Sequence, residues 1–109
     1  MNNRYNNRIE KEKVDFLNRN PNREWTQIKN VITIHQDGFM VEFELSNYPF
    51  ERPGVKILNY ADIKKIESRS TCGLTNDGVV TFANVWSSVT RLEELVDYLK
   101  TEFILTGQF

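Results

Sequence analysis

The chain has 109 residues, of which 39% are hydrophobic and 27% charged, and its formal net charge is −1. This length suits one domain, and the balance is typical of a globular protein rather than a disordered or strongly basic nucleic-acid-binding chain. No apolar run approaches the roughly 20 residues of a membrane span, and the N-terminus lacks the apolar segment of a signal peptide. One cysteine and one histidine argue against a disulfide framework and a zinc site. We therefore expect a cytoplasmic protein without a cofactor or metal.

The first 30 residues are basic and rich in asparagine, whereas the remainder of the chain is acidic. Residues 1–30 carry seven Lys/Arg and four Asp/Glu, and residues 31–109 carry seven Lys/Arg and eleven Asp/Glu. The apolar residues near the start follow a weakly helical spacing, at Tyr5, Ile9, Phe16 and Leu17. Pro21 is expected to end this helix. We predict a polar N-terminal helical arm over residues 1–23 and a sheet-and-helix domain over residues 24–109.

The clearest local signal is the Asp37-Gly38 dipeptide between two alternating stretches, residues 27–36 and 39–46. Asp-Gly favours the two-residue turn of a hairpin, because both turn positions need positive φ. With that turn, the apolar side chains of both strands share one face of the pair and most polar side chains share the other. The sequence therefore predicts a half-buried antiparallel hairpin.

Further strands are predicted on either side of a proline-containing loop, residues 48–54 (YPFERPG). Residues 55–59 are typical of a third strand, and residues 63–69 of a fourth after a bend. A second hairpin is predicted over residues 71–84, where Thr-Asn-Asp-Gly at residues 75–78 supplies the turn.

The C-terminal segment is typical of an amphipathic helix. Its apolar residues recur at helical spacing, at Leu92, Leu95, Val96, Leu99 and Phe103. Thr90 with Glu93 fits a capping box that would begin the helix, Ser88 is a competing cap, and Gly107 is the expected stop. The helix must bury its apolar stripe against another element, and the apolar face of the sheet is available.

This order of hairpins followed by one helix resembles the bacterial pleckstrin-homology-like domain over roughly residues 24–105. The string ILNYADIKKIE at residues 57–67 is similar to the strand–bend–strand segment of such domains. The resemblance implies an α+β fold, in which a helix caps a bent antiparallel sheet or half-barrel of two hairpin-rich groups. A further strand of that fold would lie near residues 24–27 or 85–86. Phosphoinositide binding is not expected, because the Asp37-Gly38 loop is short and acidic.

Candidates for chemistry are few. His35, Cys72 and the carboxylates of Glu42 and Glu44 could serve nucleophilic, acid–base or cation-binding roles. Each also fits an ordinary side chain of a half-buried or exposed strand. The sequence contains no phosphate-binding loop, dinucleotide fingerprint or metalloprotease motif. We therefore predict that the protein is not an enzyme.

Protein binding is the function that the composition favours. The loop at 48–54 carries Tyr48, Phe50 and Arg52 on a proline-stiffened segment, and Trp25 is a further candidate partner-binding residue. Interface hot spots favour Trp, Tyr and Arg, and a stiff segment loses little entropy on binding. An alternative is that this loop folds over the edge of the core with Phe50 as a plug. We predict an adaptor or inhibitor of a protein partner, of the kind found among accessory proteins of bacteria, phages or mobile elements.

Two other kinds of partner stay open. Arg4, Arg8 and Lys11 of the N-terminal arm could contact nucleic-acid phosphates, although acidic residues interrupt this basic stretch. A second copy of the chain could pair with an open edge of the sheet, since an edge strand leaves backbone groups unpaired.

Overall fold

In the computed structural model, two helices and an open six-stranded antiparallel sheet form an α+β fold. The structure describes residues 3–36, 38–60, 63–65, 72–82 and 85–105, without the side chains of residues 3–6, 36, 64–65, 72 and 104–105. In chain order the elements are α1 (Asn3–Arg19), β1 (Glu24–Ile28), β2 (Val31–Gln36), β3 (Phe39–Glu44), β4 (Gly54–Ile57), β5 (Ile63–Lys65), β6 (Cys72–Leu74), β7 (Val79–Phe82), α2 (Leu92–Glu102) and β8 (Phe103–Leu105).

The strands of the main sheet lie in the order β1-β2-β3-β4-β7-β6, and each neighbouring pair is antiparallel. The first four strands form a meander, and the β6–β7 hairpin adds to it through β7. Strands β5 and β8 pair with each other in a separate two-stranded sheet. The predicted α+β class is confirmed, with one helix before the strands and one near the C-terminus.

The β2–β3 hairpin has the register that the sequence predicts. The buried side chains of Ile34 and Val41 lie opposite each other on the core face. Gly38 has a φ of +87°, in the left-handed region that this tight turn requires, while Asp37 lies outside the described residues. The β6–β7 hairpin is confirmed as well, with Gly78 at a φ of +87° beside its turn.

The prediction of one continuous strand from residue 27 to residue 36 is wrong. A turn at Lys29-Asn30 divides this stretch into β1 and β2, which pair with each other. Lys29 has a φ of +55°, a conformation that is uncommon outside glycine, asparagine and aspartate, so the residue at the first turn position gave no signal of the break. The strand expected near residues 24–27 is present as β1, whereas residues 85–86 are not in a strand.

The fourth predicted strand is present in its described part. Strand β5 covers Ile63–Lys65 and pairs with β8 in the separate two-stranded sheet. The remainder of the predicted strand, residues 66–69, lies outside the described residues.

The C-terminal helix is shorter than predicted. Helix α2 ends at Glu102, and Phe103 is extended, at φ −130° and ψ 150°, because it pairs with Lys65 across the β5–β8 ladder. The predicted stop at Gly107 lies outside the described residues. Phe103 is nonetheless buried, so its apolar side chain reaches the core from a strand rather than from the helix.

Both helices bury apolar side chains in the core formed with the apolar face of the sheet. Ile9 and Phe16 of α1 are buried, and Leu17 packs against them from the core's margin, as the predicted stripe requires. The side chain of Tyr5 lies outside the described residues. Helix α2 contributes Leu92, Leu95, Val96 and Leu99. Helix α1 is therefore packed on the sheet through Ile9, Phe16 and Leu17.

Candidate interaction surface

Helix α2 begins at a buried carboxylate that α1 supplies. Glu12 is only 3% exposed, and its Oε1 accepts a hydrogen bond from the backbone N–H of Leu92 at 2.7 Å. Its Oε2 accepts from Arg8 Nε at 2.8 Å and from the Tyr48 hydroxyl. Arg8 also donates to the carbonyls of Ser88 and Thr90. Three donors, one each from α1, the proline loop and the start of α2, therefore satisfy this charge, because those three segments meet at one point.

The predicted Thr90/Glu93 capping box is wrong by one residue. Arg91 is the cap, and its backbone N–H donates to Glu94 Oε1 at 2.9 Å. Glu93 instead forms an ion pair with Arg19 of α1. The helix starts later than predicted because Glu12, rather than the Ser88 or Thr90 hydroxyl, holds the Leu92 amide.

Tyr48, a predicted partner contact, lies in this network and is 1% exposed. Its hydroxyl donates to Glu12 and accepts from Arg8 at 3.1 Å. Burial raises the pKa of the Tyr48 hydroxyl far above its usual value, and the Glu12 carboxylate raises it further. The Tyr48–Pro49 peptide bond is cis. Tyr48 therefore anchors its loop to the core, whereas the sequence analysis predicted that it would contact a partner.

Trp25, the other predicted aromatic contact, is 8% exposed. It lies on β1 with its ring 5.6 Å from that of Phe16 in α1. Among the described residues, its buried indole Nε1 has no hydrogen-bond partner. Trp25 therefore joins α1 to the sheet, and its side chain is inaccessible to a partner.

Residues 46–53 and residues 85–91 form two loops that are held together next to this network. We call these two loops the two-loop platform. Trp86 Nε1 donates to the Pro49 carbonyl oxygen at 2.8 Å, and the Trp86 ring lies 6.0 Å from that of Tyr48. Trp86, which is partly buried against the core, thus fixes the proline loop. The hydrogen bond from the indole N–H and the ring contact together restrict the position of one loop relative to the other.

Arg52, another predicted contact, is half-buried on the aromatic side of the platform. Its guanidinium lies 4.7 Å from the ring centre of Phe82 and 5.9 Å from that of Trp86, within cation–π range of both. Tyr98 of α2 stands 6.0 Å from Phe82. Beside them is a groove of about 130 Å³. Its lining is Arg52, Phe82, Val85, Trp86, Thr90, Glu94, Leu95 and Tyr98.

The platform carries three large apolar side chains that face solvent. Phe50 is 75% exposed, Val85 is 92% exposed and Val89 is 78% exposed. The interpretation of Phe50 as a plug is therefore wrong, since Tyr48 of the same loop takes that position. Sequence reasoning singled out Phe50 but missed both valines, of which Val85 had been placed in a possible further strand.

The residues of the predicted nucleic-acid contact differ in their surroundings. Arg8 uses its guanidinium to bind Glu12, Tyr48 and backbone carbonyls, as described above. Lys11 is exposed on the same helix, and it lines a shallow depression with Arg8, Arg91 and Val89. The side chain of Arg4 lies outside the described residues. The structure thus shows Arg8 as part of the internal network.

The candidate chemical residues do not form one site among the described residues. His35 lies opposite Met40 on neighbouring strands, and Glu42 lies opposite Lys56. Glu44 accepts from Asn30 Nδ2 at 2.7 Å and from Ser46. The side chain of Cys72 lies outside the described residues, and the described part of the chain holds no cluster of three or more potential metal ligands.

No protein-family model, curated protein or solved structure matches the chain. Neither helix in the described ranges has the length and apolar character needed to cross a membrane.

Proposed function

We propose that the protein is a non-enzymatic protein-interaction module, an adaptor or an inhibitor, and that its partner docks on the two-loop platform. The observation that carries this proposal is the exposure of Phe50, Val85 and Val89. The loops that bear these side chains are otherwise held in place by internal contacts. The Trp86–Pro49 hydrogen bond brings the two loops that carry them together, and exposed apolar side chains that form one patch mark interaction sites. The lone cysteine fits a reducing compartment such as the cytoplasm.

Pre-organisation makes these loops suitable for binding. Binding a mobile loop costs free energy because its side chains must be ordered. Here the cation–π contacts of Arg52, the Trp86–Pro49 hydrogen bond and the buried Tyr48 already order the loops. Phe50 and the two valines can therefore lose exposed area to a partner without a large ordering cost.

The groove beside Trp86 supports a partner that inserts an apolar side chain. Its walls are aromatic or aliphatic at Phe82, Val85 and Leu95, and polar groups sit at Arg52 and Glu94. Apolar walls with a polar margin are the usual anatomy of a protein interface. Among the predicted partner-binding residues, Phe50 and Arg52 belong to the contact surface, and Tyr48 supports it from beneath.

The experiment compares partner capture by three purified forms of the chain. The platform variant carries Phe50→Ser, Val85→Ser and Val89→Ser. The control variant carries the same number of apolar-to-serine changes at exposed positions elsewhere, Val14→Ser, Leu58→Ser and Val79→Ser. Proteins captured from nuclease-treated lysate are quantified by mass spectrometry, and the leading partner is then purified and titrated by calorimetry.

We expect a partner that binds the wild type and the control variant alike, and that binds the platform variant at least about tenfold more weakly. Equal binding by the platform variant would overturn the proposed surface. The nucleic-acid alternative is tested in parallel with a fluorescent DNA duplex and single strand. Binding that weakens steeply with salt and with Lys11→Glu would overturn the proposal in favour of that alternative.

A further inference from the structure

Strand β1 is an accessible edge of the main sheet. It is the first strand in the order, and four of its five residues are exposed: Glu24, Thr26, Gln27 and Ile28. Its register with β2 is continuous over all five residues, without a bulge or proline. Ile28 is 69% exposed on this edge. Natural edge strands usually carry a bulge, a proline or inward charge that prevents the addition of another strand, and β1 has none of these.

The hydrogen-bond pattern shows which backbone groups of β1 point outward. The N–H of Leu45 donates to the Asn30 carbonyl, so even-numbered positions of β2 bond towards β3. Odd-numbered positions of β2 therefore bond towards β1. Their partners are Glu24, Thr26 and Ile28. It follows that the N–H and C=O groups of Trp25 and Gln27 point away from the sheet.

We infer that a second copy of this chain pairs with β1, so that two β1 strands form an antiparallel ladder about a two-fold axis at Thr26. In this register Trp25 of one copy exchanges both backbone hydrogen bonds with Gln27 of the other, and the symmetry repeats that pair. All outward backbone groups of Trp25 and Gln27 are then satisfied. Two-fold pairing of one surface with itself is the commonest arrangement of homo-oligomers.

The side chains are compatible with this self-pairing. Thr26 lies opposite its own copy, and a threonine pair is favourable across antiparallel strands. Glu24 lies opposite the exposed Ile28 of the other copy, so no like charges face each other within β1. The ladder ends with the strand, because the Arg23 N–H donates to the Asn20 carbonyl and Lys29 turns away at positive φ. The pairing buries Ile28 and does not use the two-loop platform, so it is independent of the proposed function.

A proline substitution tests the pairing without disturbing the sheet. Gln27→Pro removes an outward N–H that β2 does not use, and proline is tolerated at such edge positions. Gln27→Thr is the matched control, since it keeps the N–H. Molar mass is measured by light scattering and sedimentation over a wide range of protein concentration. We expect a dimer for the wild type and Gln27→Thr, and a monomer for Gln27→Pro that retains the wild-type circular dichroism spectrum.

A charge-complementation experiment tests the position of the two-fold axis. Because Thr26 faces its own copy, Thr26→Lys and Thr26→Glu each place like charges together and should weaken self-association at least about tenfold. An equimolar mixture of the two variants places opposite charges together and should restore the dimer. A monomeric wild type, a dimeric Gln27→Pro variant, or a mixture that behaves as its separate components would each overturn the inference.

Discussion

Glu12 and Leu92 are 80 residues apart in the chain, yet the Glu12 carboxylate accepts the Leu92 backbone N–H at 2.7 Å. The same carboxylate binds Arg8 and the Tyr48 hydroxyl. One buried charge therefore joins α1, the proline loop and the start of α2. A buried carboxylate is stable only while its hydrogen-bond donors are in place, so the position of the platform depends on the docking of α1.

Replacing this charge should destabilise the whole fold. Glu12→Gln keeps the shape of the side chain but removes the charge opposite Arg8, and its amide group adds donors where donors already converge. We expect the free energy of unfolding to fall by about 2–3 kcal/mol, because hydrogen bonds to charged groups are worth that much. Urea unfolding provides the measurement. The same change at the exposed Glu10 of α1 should alter stability by less than about 0.5 kcal/mol. Equal effects at both positions would contradict the role of Glu12.

Gly78 should be intolerant of a side chain. Its φ is +87°, and a Cβ atom there would collide with the carbonyl oxygen of Ile57. We expect Gly78→Ala to lower the free energy of unfolding by about 1–3 kcal/mol through backbone strain and separation of β4 from the hairpin.

Gly54→Ala is the control for this prediction. A Cβ at Gly54 would lie 3.4 Å from Glu44 Cβ, an ordinary contact, and its φ is not in the left-handed region. This variant should be neutral or slightly stabilised, since alanine restricts the unfolded chain. Both variants are measured by urea unfolding, and a tolerated alanine at Gly78 would disprove the predicted strain.

The sequence predicted those elements whose signals are local. The Asp-Gly dipeptide and alternating apolar residues determined the register of β2–β3, and the apolar spacing located α2. The start of α2 was missed because its amide partner, Glu12, is distant in sequence. The β1–β2 turn was missed because Lys29 adopts positive φ without being a typical turn residue.

The platform was only partly predictable, for a related reason. Residue type identified Phe50 and Arg52 as candidates, but exposure is a property of the folded chain. Tyr48 and Phe50 are two residues apart and chemically similar, yet one is buried and the other is 75% exposed. The difference arises because Glu12 and Arg8 bind the hydroxyl that only Tyr48 possesses.

Asp97 of α2 should destabilise the fold at neutral pH. Partial burial raises the pKa of its carboxyl group, and the neighbouring Glu93 raises it further. A raised acid pKa in the folded state means that folding favours the protonated form, so the ionised form carries a cost at pH 7 that disappears as the pH falls below the unfolded pKa. We expect Asp97→Asn to be more stable than the wild type at pH 7, by less than about 1 kcal/mol because the site is solvent-screened. The difference in urea midpoint should shrink towards pH 3, and a constant difference would contradict this origin.

The cation–π contacts of Arg52 should hold the proline loop in place. Its guanidinium lies over Phe82 and Trp86, and cation–π contacts at partly exposed sites contribute about 0.5–2 kcal/mol. We expect Arg52→Ala to lower the free energy of unfolding by about that amount and to speed backbone hydrogen exchange in residues 46–53. The free energy of unfolding of Arg52→Lys should lie between those of the wild type and Arg52→Ala, since an ammonium keeps the charge but lacks the planar group that stacks on a ring.

The pattern of exchange separates this local role from a general loss of stability. A purely global effect would speed exchange in all protected amides, whereas loosening of the platform speeds it first in the two loops and leaves β2–β3 unchanged. Lys56→Ala, an exposed change on β4, serves as the control and should leave exchange in the loops as it is. Unchanged loop exchange in Arg52→Ala would show that the Trp86–Pro49 hydrogen bond and Tyr48 suffice to order the platform without Arg52.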